Sequence, residues 1–294
     1  MSVWLPSAPC TPGACVERVG SLAAVPRAVL RFTAVVVLML TAIMLVPLGW
    51  GSPRLRGRIP AEWVRRFCRL LVRAAGVRVR ITGSAPATGG VLLVANHISW
   101  LDIPLLAAVR PARMLAKKEI REWPVAGPLV AGAGVLFIDR DRLRALPDTV
   151  GRIAGALREG AAVVAFPEGS TWCGRAQGRF RRAVFQAALD AGAPVQPVRL
   201  RYRLEGGTAS TVPAYVGEDT LLASLWRVVT TRGLVAEVDV RPLIAAGSHP
   251  DRRTLAHAAQ PVTHEPAWTH AALVSSDRGA QWAVPQWNLS KSTP

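Results

Sequence analysis

Asn96, His97 and Asp102 stand in the stretch VLLVANHISWLDIPLL, residues 91–106. They follow five apolar residues and lie among Trp100, Leu101, Ile103 and Leu105, where a core gains nothing from an imidazole or a carboxylate. A histidine oriented by a carboxylate is a general base: the carboxylate fixes the ring tautomer and stabilises the imidazolium that forms. On one continuous helix five residues subtend about 500°, so the two side chains would diverge. A helix beginning near Ser99, capped by that residue, places a turn between them and lets them meet. Taken alone, the pair also admits a plainer reading as a satisfied histidine beside a helix-cap aspartate. No serine or cysteine nucleophile is signalled, because GSTWCG (169–174) does not read G-x-S-x-G. The hydroxyl that yields its proton is therefore a substrate's own.

The elements that must position this pair follow from hydrophobic patterning. VLLVA (91–95), ARMLA (112–116), GVLFI (134–138), AAVVAF (161–166) and PVQPVRL (194–200) are near-continuous apolar runs, the pattern of strands covered on both faces. Between them, residues 99–109, 142–158 and 180–191 suit helices, and a further helix near 219–231 and a strand at 235–241 complete the set. The expected fold class is α/β, a mostly parallel central sheet flanked by helices. Asn96 and His97 then sit just past the carboxyl end of a strand, where open α/β sheets hold ligands. Three more runs end in polar groups: Arg140 and Arg142 after GVLFI, Glu168 and Gly169 in FPEGSTW (166–172), and Pro197 within PVQPVRLRY. Each alone reads as a surface pair, a turn or an edge residue; together on one sheet they mark a site.

Residues 32–50, FTAVVVLMLTAIMLVPLGW, hold no charge over nineteen positions. As a helix this segment reaches about 28 Å, the thickness of a hydrocarbon core. Three arginines precede it within residues 1–31, whereas residues 51–80 carry nine against the one acid Glu62. The positive-inside rule then keeps the large C-terminal part in the cytoplasm, at the cell membrane. In AEWVRRFCRLLVRAAG, Trp63, Val64, Phe67, Leu70, Leu71 and Ala74 recur at helical spacing opposite Arg65, Arg66, Arg69 and Arg73. Such a helix lies in the interface of an anionic bilayer, or packs on its own domain with a solvated basic back.

The expected organisation is a flexible segment over 1–27, a membrane helix over 28–50 and a basic amphipathic interfacial helix over 51–76. A catalytic domain over 77–247 and a mobile tail over 248–294, with at most a short helix, follow. Thirty-six Lys and Arg against 19 Asp and Glu give a formal charge of +17, which favours an anionic partner. Nucleic acid is not expected, since no aromatic-basic interleaving or recognisable module supports it. Cys10, Cys15, Cys68 and Cys173 include no CxxC pair and no histidine at ligand spacing, so they read as incidental thiols rather than a zinc site.

NHISWLD resembles the H-x4-D block of the glycerolipid acyltransferases, typified by the 1-acylglycerol-3-phosphate acyltransferases. GVLFIDR, FPEGST and PVQPV resemble their second, third and fourth blocks, and the resemblance covers residues 60–245. It implies His97 as general base and Asp102 as its partner. It also implies a substrate site formed by Asn96, Lys117, Arg140, Phe166, Pro167, Glu168, Gly169 and Ser170, with Arg140 on the acceptor's phosphate. No metal or prosthetic group is implied. The donor would be acyl-CoA or acyl carrier protein, and the acceptor a lysophospholipid, foremost 1-acylglycerol-3-phosphate, giving phosphatidic acid. Many members read F-P-E-G-T-R in the third block, whereas this chain has Ser170 and Thr171, with the next arginine at Arg175. That departure keeps a non-phosphate acceptor open, such as lyso-ornithine lipid. A rival from another class is a basic membrane-binding protein that keeps the fold without catalysis.

Overall fold

The computed structural model describes residues 8–17, 24–50, 61–118, 134–138, 143–207 and 209–260. Arg140 and most of the expected tail lie outside them. The strands are β1 (Arg78–Thr82), β2 (Val91–Ala95), β3 (Arg113–Lys117), β4 (Leu136–Ile138), β5 (Ala162–Ala165), β6 (Val195–Leu204) and β7 (Leu234–Val240). They form one sheet in the order β1-β7-β6-β2-β5-β3-β4, parallel throughout except for the antiparallel pair β6–β7. Strand β1, fully exposed along its length, had no counterpart among the runs expected from sequence, because RVRIT lacks the apolar continuity of a covered strand.

Helices are α1 (Pro12–Cys15), α2 (Val25–Trp50), α3 (Ala61–Ala74), α4 (Asp102–Val109), α5 (Leu146–Arg158), α6 (Ala183–Ala191), α7 (Leu221–Thr230) and α8 (Arg252–Ala259). Strand side chains alternate between faces and so divide the core in two. Val91, Leu93 and Ala95 of β2 pack with Val198, Leu200 and Val238 beneath Leu71, Leu105 and Val228 of the helices on one face. Leu92 and Val94 pack with Val163, Ala165 and Val195 beneath Ile153, Phe185 and Leu255 on the other. Each face of β2 is thus sealed, which is why all five of its residues are apolar.

Helix α3 divides its apolar stripe. Val64, Phe67 and Leu71 turn inward with Cys68, while Trp63 and Leu70 stay exposed at 68% and 53%. Its C-terminus closes with the amides of Gly76 and Val77 donating to Arg73 and Val72 carbonyls. Gly76 (φ 81°) also meets the guanidinium of Arg31, where a Cβ would collide. Arg31 in turn donates to the carbonyls of Val229 and Thr231, and Arg27 to that of Thr230. Two arginines of α2 therefore satisfy the open carbonyl end of α7, opposite in sign to its dipole. Among the described residues α2 is the one helix long and apolar enough to cross a membrane. Its Leu30, Val37, Leu40 and Met44 are exposed.

Segments 8–17 and 248–260 both pack onto the domain. The segment before α2 is not loose over residues 8–17: Cys10 and Cys15 are buried, and Glu17 accepts from the Thr211 amide and the Ser210 hydroxyl and pairs with Arg175. The tail expected from residue 248 is folded as far as Gln260. Asp251 caps α8 by accepting from the Arg253 and Thr254 amides, and Leu255, Ala256 and Ala259 are buried. Gln260 then accepts from the Phe180 amide and donates to the Gly178 carbonyl. An eight-residue helix with three small buried contacts gives too weak a periodicity to stand out among Pro, Ser and Thr. Leu255→Ala should lower stability in detergent by about 2 to 3 kcal/mol, read from denaturant unfolding, because it removes the largest side chain by which α8 is docked.

Candidate active site

The chain leaves β2 at Ala95, and the loop 96–101 returns it to α4. Helix α4 begins at Asp102, with Leu101 as its N-cap and no side-chain cap, so Ser99 does not cap it as expected. The turn is closed by the carboxylate of Asp102 instead. Its Oδ2 accepts from the amides of Ile98 (2.6 Å) and Ser99 (2.8 Å) and pairs with Nδ1 of His97 at 2.8 Å. Its Oδ1 accepts from the Tyr202 hydroxyl at 2.6 Å. Four donors thus surround a side chain with no exposed surface, three on Oδ2 and one on Oδ1. An acceptor-only partner makes Nδ1 the protonated ring nitrogen and leaves the lone pair on Nε2. The His97 side chain is 20% exposed, so the ring can reach a substrate while its partner cannot.

A second carboxylate holds the loop from the other side. Glu168 follows β5 and is buried. Its Oε2 accepts from the His97 amide at 2.8 Å and its Oε1 from the Gly178 amide at 3.1 Å. Phe166 stacks on the imidazole, with centroids 4.0 Å apart and planes inclined by 17°. The amide of Trp172 donates to the His97 carbonyl at 2.8 Å. The ring is therefore fixed by Asp102 on one edge and by Phe166 on one face, and its backbone is held from both ends.

The expected site residues come together unequally. His97, Asp102, Phe166, Pro167, Glu168, Gly169 and Ser170 gather at the carboxyl ends of β2 and β5, which are paired in parallel. Gly169 turns the loop at φ 76°. The Ser170 hydroxyl is buried without a hydrogen-bond partner. Asn96, expected at the substrate, directs both amide atoms to the Leu200 backbone at 3.0 and 2.8 Å and so ties the end of β2 to β6. Glu168 likewise has both oxygens on backbone amides. Lys117 ends β3, and Arg140 lies outside the described residues.

Tyr202 is the member of the site that sequence reasoning missed. A signal existed: in RLRYRL the alternation puts Tyr202 on the face of Leu200, so its hydroxyl enters the core and must find a partner. Burial, then the neighbouring Asp102 charge, pushes its phenol well above the usual range, and it remains a donor. Tyr202→Phe leaves Oδ1 one donor short. Stability should fall by about 1 to 3 kcal/mol, with turnover reduced but measurable; denaturant unfolding and initial rates read the two effects.

Burial raises Glu168 to about 8, against the two amides that favour its charged form, with the Asp102 charge adding to the rise. A carboxyl raised in the fold holds its proton where the unfolded chain has released it. The stability this contributes is complete below the unfolded value of 4.5 and is lost as pH rises through about 8. Glu168→Gln should therefore flatten the decline in melting temperature across that window.

The family model described as Acyltransferase matches residues 76–201, which run from β1 into β6 and contain His97, Asp102 and Glu168. The lyso-ornithine lipid O-acyltransferase of Pseudomonas aeruginosa is 38% identical over 229 residues, covering 77% of this chain and 84% of that protein. The 1-acyl-sn-glycerol-3-phosphate acyltransferase of Neisseria meningitidis serogroup B is 36% identical over 206 residues, covering 70% and 79%. The crystal structure of the 1-acyl-sn-glycerophosphate (LPA) acyltransferase PlsC from Thermotoga maritima shares the fold, with a TM-score of 0.61, 17% identity, and coverage of 81% of this chain and 92% of that one. A histidine–aspartate pair at the head of a mostly parallel sheet, within a sequence this close to such enzymes, makes the chain an O-acyltransferase of the glycerolipid acyltransferase family.

Proposed function

We propose that the protein is a membrane-bound enzyme that transfers a fatty acyl group from acyl-CoA or acyl carrier protein to the free hydroxyl of a lysolipid. The observation that carries this reading is the contact between His97 and a buried, four-donor Asp102. Nε2 takes the proton of the acceptor hydroxyl as its oxygen attacks the thioester carbonyl. The C–O bond forms, the tetrahedral oxyanion collapses, the C–S bond breaks and the imidazolium returns the proton to the departing thiolate. A general base of this kind supplies about 10²- to 10⁴-fold, or roughly 3 to 5 kcal/mol. Alignment of two lipid-like substrates and stabilisation of the oxyanion supply the remainder, and the unpartnered Ser170 hydroxyl is a donor suited to that task. The chemistry needs no prosthetic group.

Helix α2, apolar and exposed at Leu30, Val37, Leu40 and Met44, is the membrane anchor in this reading, with the domain on the cytoplasmic side where the arginines cluster. Trp63 and Leu70 of α3, beside exposed Arg66, Arg69 and Arg73, meet the anionic headgroups. With 1-acylglycerol-3-phosphate as acceptor, Arg140 is the residue proposed to meet the phosphate. A second reading, lyso-ornithine lipid, is favoured by a specific contact. Arg175, the first arginine after Thr171, is paired with Glu17 at 3.0 Å and so is already neutralised.

His97→Ala should abolish transfer, lowering turnover at least about 10²-fold, while the protein still sediments with vesicles. The assay supplies acyl-CoA with each lysolipid in turn and follows thiol release. Retained turnover in the variant excludes the mechanism. Absence of release by the wild type with every lysolipid points to a binding protein instead.

A further inference from the structure

Three of the four cysteines, which the sequence spacing left as incidental thiols, meet in one place. Cys10 and Cys15 flank the turn that opens α1, with Thr11 as its N-cap. Cys173 comes from a segment remote in sequence, the loop after β5 that carries Glu168 and Trp172. The three Sγ atoms lie within 4.8 Å of one another, and the residues are 2%, 4% and 1% exposed. Cys68 is buried apart from them against Ala107 and Ala108.

Apolar packing alone does not require three sulfurs to converge from two remote segments. Gly174, directly after Cys173, adopts a left-handed turn (φ 89°), and a Cβ there would press on Ile98 of the catalytic loop. A disulfide would join two of the thiols and leave the third without a role, whereas a single ion uses all three.

We propose that Cys10, Cys15 and Cys173 bind one thiophilic d10 metal ion, zinc or monovalent copper, as a structural centre. Three thiolates form the trigonal set that Cu⁺ accepts, and Zn²⁺ completes its tetrahedron with one exogenous ligand. The ion would cross-link the segment ahead of α2 to the loop that holds His97, because Trp172, next to Cys173, donates to the His97 carbonyl. The Glu17 contacts with Arg175, Ser210 and Thr211 fasten the same segment one turn further on. The site takes no part in acyl transfer.

Full-length protein, purified in detergent under anaerobic reducing conditions from cells supplied with zinc or copper, is analysed for bound metal. The metal-free protein is then titrated with Zn²⁺, with Cu⁺ and with Co²⁺ as an optical probe. One ion per chain is expected, with an intense thiolate-to-cobalt charge-transfer band. The zinc and copper arms identify the preferred ion by competition against a chelator. Binding should be lost in Cys10→Ser and Cys173→Ser and kept in Cys68→Ser. The cobalt spectrum of the wild type, which needs no variant to fold, decides the case if those variants aggregate. A wild-type chain that binds none of the three ions overturns the proposal, as does metal retained in Cys173→Ser.

Discussion

The carboxylate of Asp102 has no contact with solvent, and the organisation of the site follows from how it is satisfied. Removing an ionised carboxylate from water is costly unless every acceptor position is filled. Here the donors are two backbone amides, an imidazole and a phenol, on two elements: the loop after β2, which carries the histidine, and β6. Each of those groups is therefore held in place by the same charge that it solvates. The histidine is oriented before any substrate arrives, which is the condition under which a base contributes most. Tyr202 is reached through the pairing of β2 with β6, so the register Ala95↔Val198 is as necessary to the pair as its sequence spacing.

Two carboxylates share this corner of the sheet and are kept different by their surroundings. Asp102 has four donors, including the imidazole; Glu168 has two amides and a buried position that raises it to about 8. Burial thus biases Glu168 toward its neutral form. That asymmetry leaves Asp102 as the carboxylate that orients the imidazole, with Glu168 holding the loop backbone. The stacked Phe166 ring adds an apolar wall to the imidazole and limits its rotation.

Much of this was legible in the chain itself. Continuous apolar runs located β2, β3, β4, β5 and β6, and the break after VLLVA located His97 and Asp102, because a polar pair at a strand's end interrupts a pattern that burial otherwise enforces. Other features left weaker marks. Strand β1 has the alternating charge of an exposed edge and lacks the signature of a covered strand. Asn96 and Glu168 look like substrate ligands on the page, yet they bond backbone amides and carbonyls, a role that depends on the distances between Asn96 and Leu200 and between Glu168 and Gly178 in space. The cysteine cluster joins positions more than 150 residues apart, and no local spacing rule reports such a meeting. The short helix allowed for the tail could not be placed, because Ala256 and Ala259 bury surfaces too small to generate a visible period.

The arginines that reach from α2 to the end of α7 change what that apolar helix is. A tether joined through a flexible link would leave the domain free to swivel, and any hydrophobic segment of equal length would serve in its place. Arg27, Arg31 and the tight approach at Gly76 seat the helix in one rotational setting against the sheet layer. A single residue inserted after Arg31 would turn everything beyond it by about 100° and advance it by about 1.5 Å relative to the domain. The apolar segment is thus a keyed axle, and the angle at which the histidine faces its surroundings is written into its phase.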